Sequence, residues 1–287
     1  MSDFEFVNAP TVDSAIEALA QWGNKACLVA GGTNVMVDIR AKKIKDGTLI
    51  NIRDIESLKK ITYTDGKVSI GALTIIEEIA KSEIIKQHAP CLFAAANVFA
   101  DPTTNRSATI GGNVGNASAS GDTIPPLMVL NAIVHLKSKR GDREVPINEF
   151  IIKNGVTTRE PDEMITHFTF ESQPNTGFIK LGARRSMTIS IATVAAYIET
   201  DKQSGIVKDC RIALGGVAPK PVRGTNAEKV FIGNKLDEDT FTKAGEAVQN
   251  DISPRSPSVR ATASYRRSVV PVLVKRAVKL AAFGECE

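Results

Sequence analysis

The chain has 287 residues, enough for roughly two domains of ordinary size. Its 36 basic and 32 acidic residues leave a formal net charge of +4, too even for the basic stripe expected of a nucleic-acid-binding protein. Hydrophobic residues make up 43% and charged residues 24%, which is typical of folded soluble proteins and excludes a disordered or collagen-like chain. No apolar run approaches the ~18 residues of a membrane span.

The N-terminus and the cysteines indicate a cellular compartment. Two of the first five residues are acidic, and no apolar stretch typical of a secretion signal follows. The four cysteines (Cys27, Cys91, Cys210 and Cys286) are far apart and form no Cys-x-x-Cys pair. We therefore expect free thiols, no zinc or iron–sulfur cluster, and a cytoplasmic location.

The first quarter of the chain predicts a β-α-β-like unit with a glycine turn at its centre. Apolar residues recur at helical spacing between Thr11, a suitable N-cap, and Gly23, a suitable stop. A short apolar strand then runs directly into Gly31-Gly32. The predicted segments after the helix are a strand at 26–30, a helical turn at 35–39 and a strand at 48–52.

The next hundred residues predict further strands and helices around one long irregular passage. We expect strands at 67–72, 133–136 and 163–170, and helices at 74–79, 90–99 and 127–132. The passage 101–126 is polar and rich in glycine, with hardly any periodic pattern. Because a loop of this length inside a compact domain is usually functional or disordered, we predict an ordered functional loop.

A change of pattern near residue 172 predicts a second domain. Residues 171–177 combine polar residues with proline and glycine and are typical of a linker. Strands are predicted beyond it at 178–183, 192–199 and 206–215, followed by helices at 225–232, 238–249 and 264–282. Strands followed by helices indicate a separate α+β domain, so we divide the chain into 1–172 and 173–287.

Two loops share a Gly-Gly pair followed by small polar residues. Gly31-Gly32 and Gly111-Gly112 lie 80 residues apart, and Thr33, Asn34 and Asn113 follow them. Paired glycines let successive backbone N–H groups turn toward an anion, so two such nests converging on one ligand would suit a pyrophosphate. Two tight turns without a ligand explain these residues equally well.

Other catalytic and nucleotide signatures are missing from the sequence. There is no Gly-x-x-x-x-Gly-Lys-Ser/Thr loop and no Gly-x-Gly-x-x-Gly fingerprint. The three histidines (His88, His135 and His167) lack metal-type spacing, and no nucleophile or general base stands out. A cofactor that carries the chemistry itself would explain this absence.

Two segments resemble the FAD-binding subunits of the molybdenum hydroxylases, a family that includes xanthine, carbon monoxide and nicotinate dehydrogenases. They are AGGTNVMVDIR at 30–40 and ATIGGNVGNASASGDTIPPLMVLNA at 108–132. Shorter motifs of the second half agree in order, namely Phe178 to Lys180 with Arg184, Gly215 to Arg223, Ser253 to Arg255, and Tyr265-Arg266. The resemblance therefore spans almost the whole chain.

The resemblance implies an α+β fold and a set of cofactor-binding residues. The expected fold is a two-lobed FAD-binding domain of the vanillyl-alcohol-oxidase (PCMH-like) type, with lobes at about 1–55 and 56–172, followed by a C-terminal α+β domain of the CO dehydrogenase flavoprotein type. FAD is expected to be non-covalent, because neither Gly-Gly loop contains His or Cys. The implied FAD contacts are Val29, Ala30, Gly31, Gly32, Thr33, Asn34, Val35, Met36, Thr109, Ile110, Gly111, Gly112, Asn113, Asp122, Met164 and Lys180. We expect Gly111→Val to abolish flavin binding while leaving the fold intact.

The resemblance also implies a function shared with partner subunits. Such a chain passes electrons from the two-iron, two-sulfur clusters of a small subunit through FAD to NAD or another acceptor, while a large molybdopterin subunit hydroxylates the substrate. A heterotrimer is expected, with no catalytic residue beyond the flavin. A cation at Lys180 would suit the extra negative charge of reduced flavin. A cluster with four irons, carried by some relatives, is not expected, because no cysteine lies between residues 91 and 210.

Some features depart from the family pattern or permit another interpretation. Asn34 and Thr188 stand where aspartate is common, and Asn105-Arg106 reverses the usual order. A stand-alone FAD reductase or oxidase would need its own acid or base, and a non-catalytic scaffold would not need intact glycine loops. The basic residues Arg255, Arg260, Arg266, Arg267, Lys275 and Arg276 predict either a solvated helical face or a docking surface for sister subunits.

Overall fold

The computed structural model describes residues 4–184, 187–256 and 258–284 and confirms the expected α+β class. The first lobe contains β1 (Phe4–Asn8), α1 (Val12–Trp22), β2 (Ala26–Val29), α2 (Val35–Arg40) and β3 (Gly47–Asn51). Its strands form a parallel sheet in the order β1-β3-β2. Thr11 caps α1 in a reciprocal pair with Ser14, and α1 buries its apolar face on this sheet. The edge strand β2 is half-buried along all four residues, so its unpaired edge is accessible to solvent.

The second lobe contains five strands of one antiparallel sheet, a small hairpin and seven α-helices. Their bounds are β4 (Ile61–Thr64), β5 (Lys67–Gly71), α3 (Ile76–Lys81), α4 (Glu83–His88), α5 (Pro90–Asn97), α6 (Pro102–Asn105), α7 (Ile110–Gly115), α8 (Ile124–Val129), β6 (Ile133–Ser138), β7 (Gly141–Pro146), α9 (Ile147–Phe150), β8 (Ile151–Lys153), β9 (Val156–Thr157) and β10 (Met164–Glu171). The sheet has the order β4-β5-β10-β6-β7. Alternate strand residues such as Val68, Leu136 and Phe168 face helices α3, α5 and α8 and form the largest core of the described chain.

The passage 101–126 is not the irregular loop that its composition predicts. It holds α6 and α7 and the start of α8, and the helix predicted at 127–132 lies at 124–129. Pro125 and Pro126 occupy the first turn of α8, where the missing N–H groups cost no helical hydrogen bond. Thr109 caps α7 and offsets the poor helix propensity of its glycines.

The C-terminal part forms an antiparallel sheet with helices on one face. It contains β11 (Thr176–Leu181), β12 (Ala192–Thr200), β13 (Val207–Gly215), β14 (Val222–Arg223), α10 (Thr225–Phe231), α11 (Glu238–Ala247) and α12 (Ala263–Phe283). Val194 and Ile212 point to the helices, whereas Ala195 and Ala213 join the core of the second lobe. The sheet is therefore buried on both faces and fixes this part against the second lobe. No helix in the described ranges combines the length and apolarity needed to cross a bilayer.

Candidate cofactor-binding site

The first Gly-Gly loop connects the end of β2 to α2 and presents unpaired backbone donors. Gly32 has φ +70°, a conformation that side-chain-bearing residues rarely adopt. Within the part of the chain that the structure describes, the backbone N–H groups of residues 30–35 donate no hydrogen bond to a protein acceptor. Six consecutive free donors beside a half-exposed strand form the kind of nest that binds an anion.

The second Gly-Gly loop is not an open nest, which corrects the sequence-based expectation of two. Thr109 Oγ1 accepts from Gly112 N at 3.0 Å, and Ile110 N and Gly111 N donate to the carbonyl oxygens of Thr74 and Ala72. Asn113 N donates to the carbonyl of Thr109 at 2.9 Å. All four N–H groups therefore donate to acceptors within the chain. The second loop does not form an anion nest, and what it offers a ligand is the exposed backbone of Gly112, which has no side chain.

Gly111 has a packing role that changes what its substitution would test. A Cβ at Gly111 would lie 2.6 Å from the carbonyl oxygen and 2.7 Å from the Cβ of Ala72. A larger side chain would therefore push α7 away from Ala72, the residue that follows β5. The expectation that Gly111→Val leaves the fold intact is wrong in this geometry.

The structure brings the two loops together where the two lobes meet. A Cβ at Gly31 would lie 1.7 Å from the carbonyl oxygen of Ser107 and 2.5 Å from its carbonyl carbon. Ser107 is two residues before Thr109, so the first loop rests against the backbone that enters the second. Only glycine permits this approach.

A polar chain continues from the second loop into the C-terminal sheet. Thr123 Oγ1 donates to Asn113 Oδ1 at 2.7 Å, which leaves the side-chain amide of Asn113 available to a ligand. The neighbouring Asp122 pairs with Lys180 of β11, with 2.7 Å between Nζ and Oδ2. Ser190 Oγ donates to the other carboxylate oxygen at 2.5 Å. The loops, Asp122 and Lys180 thus form one continuous set of contacts.

Burial dominates the electrostatics of the Asp122–Lys180 pair. The side chains are 9% and 6% exposed, and Lys180 also donates to the Val98 carbonyl at 2.9 Å. Desolvation raises the pKa of Asp122, although the charge and hydrogen bond of Lys180 and the hydroxyl of Ser190 oppose this. Each group is held by the other, so neither is free to act as an acid or base on a substrate.

The remaining predicted contacts differ in accessibility. Val29 to Thr33 and Val35 are half-buried, and Asn34 and Met36 are exposed, so the whole first segment presents surface. Met164, in contrast, has no exposed surface. It is fully buried in the core of the first lobe and does not face the junction of the two loops. Its neighbour Ile165 instead approaches α7 at Gly115.

The departures from the family pattern lie around this site. Asn34 starts α2 without a side-chain capping bond, so its amide is free. Arg106 Nε lies 3.5 Å from Glu77 Oε1, and Thr188 Oγ1 accepts a hydrogen bond from Ala183 N at 3.2 Å. Sequence reasoning missed Ser107, Val98 and Ser190, since a carbonyl or a lone serine carries no signal until the chain is folded.

The exposure of the three described cysteines predicts which thiol reacts first, and Cys27 on the edge strand β2 is the most accessible. Burial raises the pKa of Cys91 to about 12 and also raises that of Cys210, whereas Cys27 is only half-buried and its pKa is raised less. In a chain carrying Cys286→Ser, we expect Ellman's reagent to label one thiol quickly, and faster as the pH rises toward the pKa of Cys27. Cys27→Ser should remove that reaction. Rapid labelling of two or more thiols in the folded chain would contradict this placement.

The fold and the site define a class of protein, an α+β chain with a loop of unpaired backbone donors at the junction of two lobes. Residues 2–170 match the family described as FAD binding domain in molybdopterin dehydrogenase, and 178–281 match the CO dehydrogenase flavoprotein C-terminal domain. The chain belongs to this family of FAD-binding subunits, as its motifs led us to expect.

Individual relatives agree over nearly their full length. The xanthine dehydrogenase FAD-binding subunit of Escherichia coli is 32% identical over 284 residues, covering 97% of this chain and 96% of that protein. The carbon monoxide dehydrogenase medium chain of Hydrogenophaga pseudoflava is 27% identical over 99% of this chain and 98% of its own. A solved structure of carbon monoxide dehydrogenase from that organism superposes with a TM-score of 0.93 at 28% identity, covering 99% of both chains.

Proposed function

We propose that this chain binds FAD non-covalently and serves as the electron-transfer subunit of a multi-subunit molybdenum hydroxylase. The observation that carries the proposal is the row of unpaired N–H groups at residues 30–35, held against Ser107 by Gly31. A dinucleotide cofactor needs such donors for its pyrophosphate. The family match supplies the identity of that cofactor.

The residues of the site have separable roles in this proposal. The N–H groups of the first loop would bind the pyrophosphate, and Asn34 and the amide of Asn113 would donate to nearby cofactor oxygens. Gly112 leaves space for close approach, and the buried Lys180, held by Asp122, would place a cation near the cofactor. FAD, when bound, supplies the redox chemistry that side chains lack.

The electron donor and the acceptor lie outside this chain in the proposal. No group of three metal-ligating side chains suited to a metal ion occurs among residues 4–184, 187–256 and 258–284. Relatives named for xanthine dehydrogenase and for carbon monoxide dehydrogenase both match this chain over nearly its full length. Because the same type of subunit serves such different substrates, we place the substrate-binding site on a different subunit. We assign a molybdopterin-binding large subunit and an iron–sulfur small subunit as partners in a cytoplasmic heterotrimer, with NAD as the acceptor.

The proposal is tested on the isolated full-length chain under anaerobic conditions. FAD is titrated into the apoprotein, and NADH is then added while the flavin absorbance near its visible maximum is followed. We expect tight FAD binding and bleaching by NADH, because reverse hydride transfer needs only this chain. A chain that stays colourless with added FAD contradicts the flavoprotein assignment. A yellow chain that NADH leaves unchanged contradicts NAD as the acceptor of this subunit.

A further inference from the structure

The basic residues near the C-terminus divide into two groups in the structure. Arg267 donates to the backbone carbonyl oxygens of Gln249 at 3.0 Å and Ile252 at 3.2 Å, and thereby holds the segment before α12. Lys275 pairs with Glu238 of α11 at 2.5 Å. These two cations have structural partners within the chain.

Three other arginines, Arg255, Arg260 and Arg266, have no acidic partner among residues 4–184, 187–256 and 258–284, and we refer to them as the arginine cluster. In the described part of the chain, no carboxylate oxygen lies within 4.0 Å of their nitrogen atoms. Arg266, in the first turns of α12, is 5% exposed. Its guanidinium makes a single hydrogen bond among these residues, to Ser258 Oγ at 3.2 Å, and its Nε is buried without an acceptor.

This arrangement is electrostatically incomplete. Burying a guanidinium is unfavourable unless an opposite charge and hydrogen bonds compensate it. Here burial, and then the positive charges of Arg255 and Arg260, lower the pKa of Arg266. Ser258 supplies only one neutral acceptor. The cluster therefore calls for an anion that the described residues do not provide.

The surroundings of the cluster favour a protein carboxylate over a small ion. Tyr265 is 45% exposed and Val259 is 99% exposed, and both lie in the same short segment as the cluster. Arginine and tyrosine flanked by apolar surface are enriched at protein interfaces, where they act as anchors. A small ion would pair with the guanidinium groups but would leave the valine and the tyrosine in water.

We infer that the arginine cluster, with Tyr265 and Val259, is a docking surface for an acidic segment of a partner subunit, whose carboxylates pair with the exposed Arg255 and Arg260 and thereby offset the charge of Arg266. A carboxylate can accept two parallel hydrogen bonds from one guanidinium, and the exposed Arg255 and Arg260 are open to such pairing. The inference rests on the proposed function, since it takes the partner from the hydroxylase complex.

The test reverses charge at the exposed members of the cluster and keeps the buried one. Arg255→Glu with Arg260→Glu is compared with Lys202→Glu and Lys229→Glu, a pair that changes the net charge equally at exposed positions elsewhere. Each FAD-loaded chain is titrated with the purified iron–sulfur and molybdopterin-binding subunits, and dissociation constants are measured by analytical ultracentrifugation. We expect assembly to weaken at least about tenfold in the cluster variant and to be unchanged in the control pair.

The possible failures are distinguishable. If the wild type and both variants assemble with equal affinity, the docking surface is wrong while the proposed function stands. If inorganic phosphate raises the melting temperature of the wild type and not of the cluster variant, with assembly unaffected, the cluster is a small-anion site and the inference is also wrong. A wild-type chain that binds FAD but joins neither subunit contradicts the proposed assembly itself.

Discussion

Gly31→Ala is expected to abolish tight FAD binding. The new Cβ would lie 1.7 Å from the Ser107 carbonyl oxygen, so the first loop and the entry to the second must separate. The donors at residues 30–35 would then lose their placement against the second lobe. Overpacking of this kind costs about 1–3 kcal/mol or more, which corresponds to roughly a 5- to 150-fold loss of affinity or more. Fluorescence titration of the apoprotein with FAD measures it.

Gly115→Ala provides the matched control, because it adds the same methyl group at the end of α7. Its Cβ would meet only Ile165 Cδ1, at an ordinary 3.6 Å. FAD affinity should stay at the wild-type value, and the helix should gain slightly in stability. Wild-type FAD affinity in Gly31→Ala would show that the contact between the loops is not part of the site. Gly111→Val cannot replace this test, since its collision with Ala72 would disturb folding first.

The sequence predicted best those elements whose apolar pattern and ends agree. The first helix was expected between Thr11 and Gly23 and runs from Val12 to Trp22, with Thr11 as its cap. The last helix was expected at 264–282 and spans Ala263–Phe283. Strands β10, β12 and β13 were also located closely, because β10 alternates apolar and polar residues while β12 and β13 carry long runs of buried residues.

Elements at edges and in glycine-rich stretches escaped prediction for physical reasons. The strands β4 and β7 form the two edges of their sheet, where most residues face water, so apolar alternation is weak. The sequences of α6, α7 and α8 are rich in proline or glycine, which is typical of loops. Side-chain caps on α6 and α7 and the burial of α8 nevertheless stabilise the helical conformation.

Only part of the candidate site could be read from the sequence. The Gly-Gly pairs indicated where backbone must approach closely, and the family resemblance pointed to Asp122 and Lys180. The sequence could not show that the first Gly-Gly pair leaves its N–H groups unpaired while the second does not. This difference depends on whether the carbonyl oxygens of Thr74 and Ala72 lie within hydrogen-bond distance of the second loop. That is decided by the packing of α7 against the segment that follows β5 and not by the motif itself.

Lys180→Met is expected to lower the free energy of unfolding by about 3 kcal/mol, because removing one member of a buried ion pair strands the other. Asp122 would keep only the Ser190 hydroxyl as a partner in a site where its side chain is 9% exposed. Urea unfolding at neutral pH measures the loss. Lys202→Met, at an exposed position, should change stability little.

The pH dependence of that loss separates a stranded charge from a packing defect. The pKa of folded Asp122 is already raised by burial, and without Lys180 it should rise further. A carboxyl whose pKa is higher in the folded state takes up a proton more readily when folded, so its stability penalty is present above the folded pKa and disappears as the pH falls through it. The deficit of Lys180→Met should therefore shrink on acidification, and adding Asp122→Asn should reduce it at neutral pH. A deficit that is constant with pH and unaffected by Asp122→Asn would mean that Lys180 acts through the packing of its side chain and not through its charge.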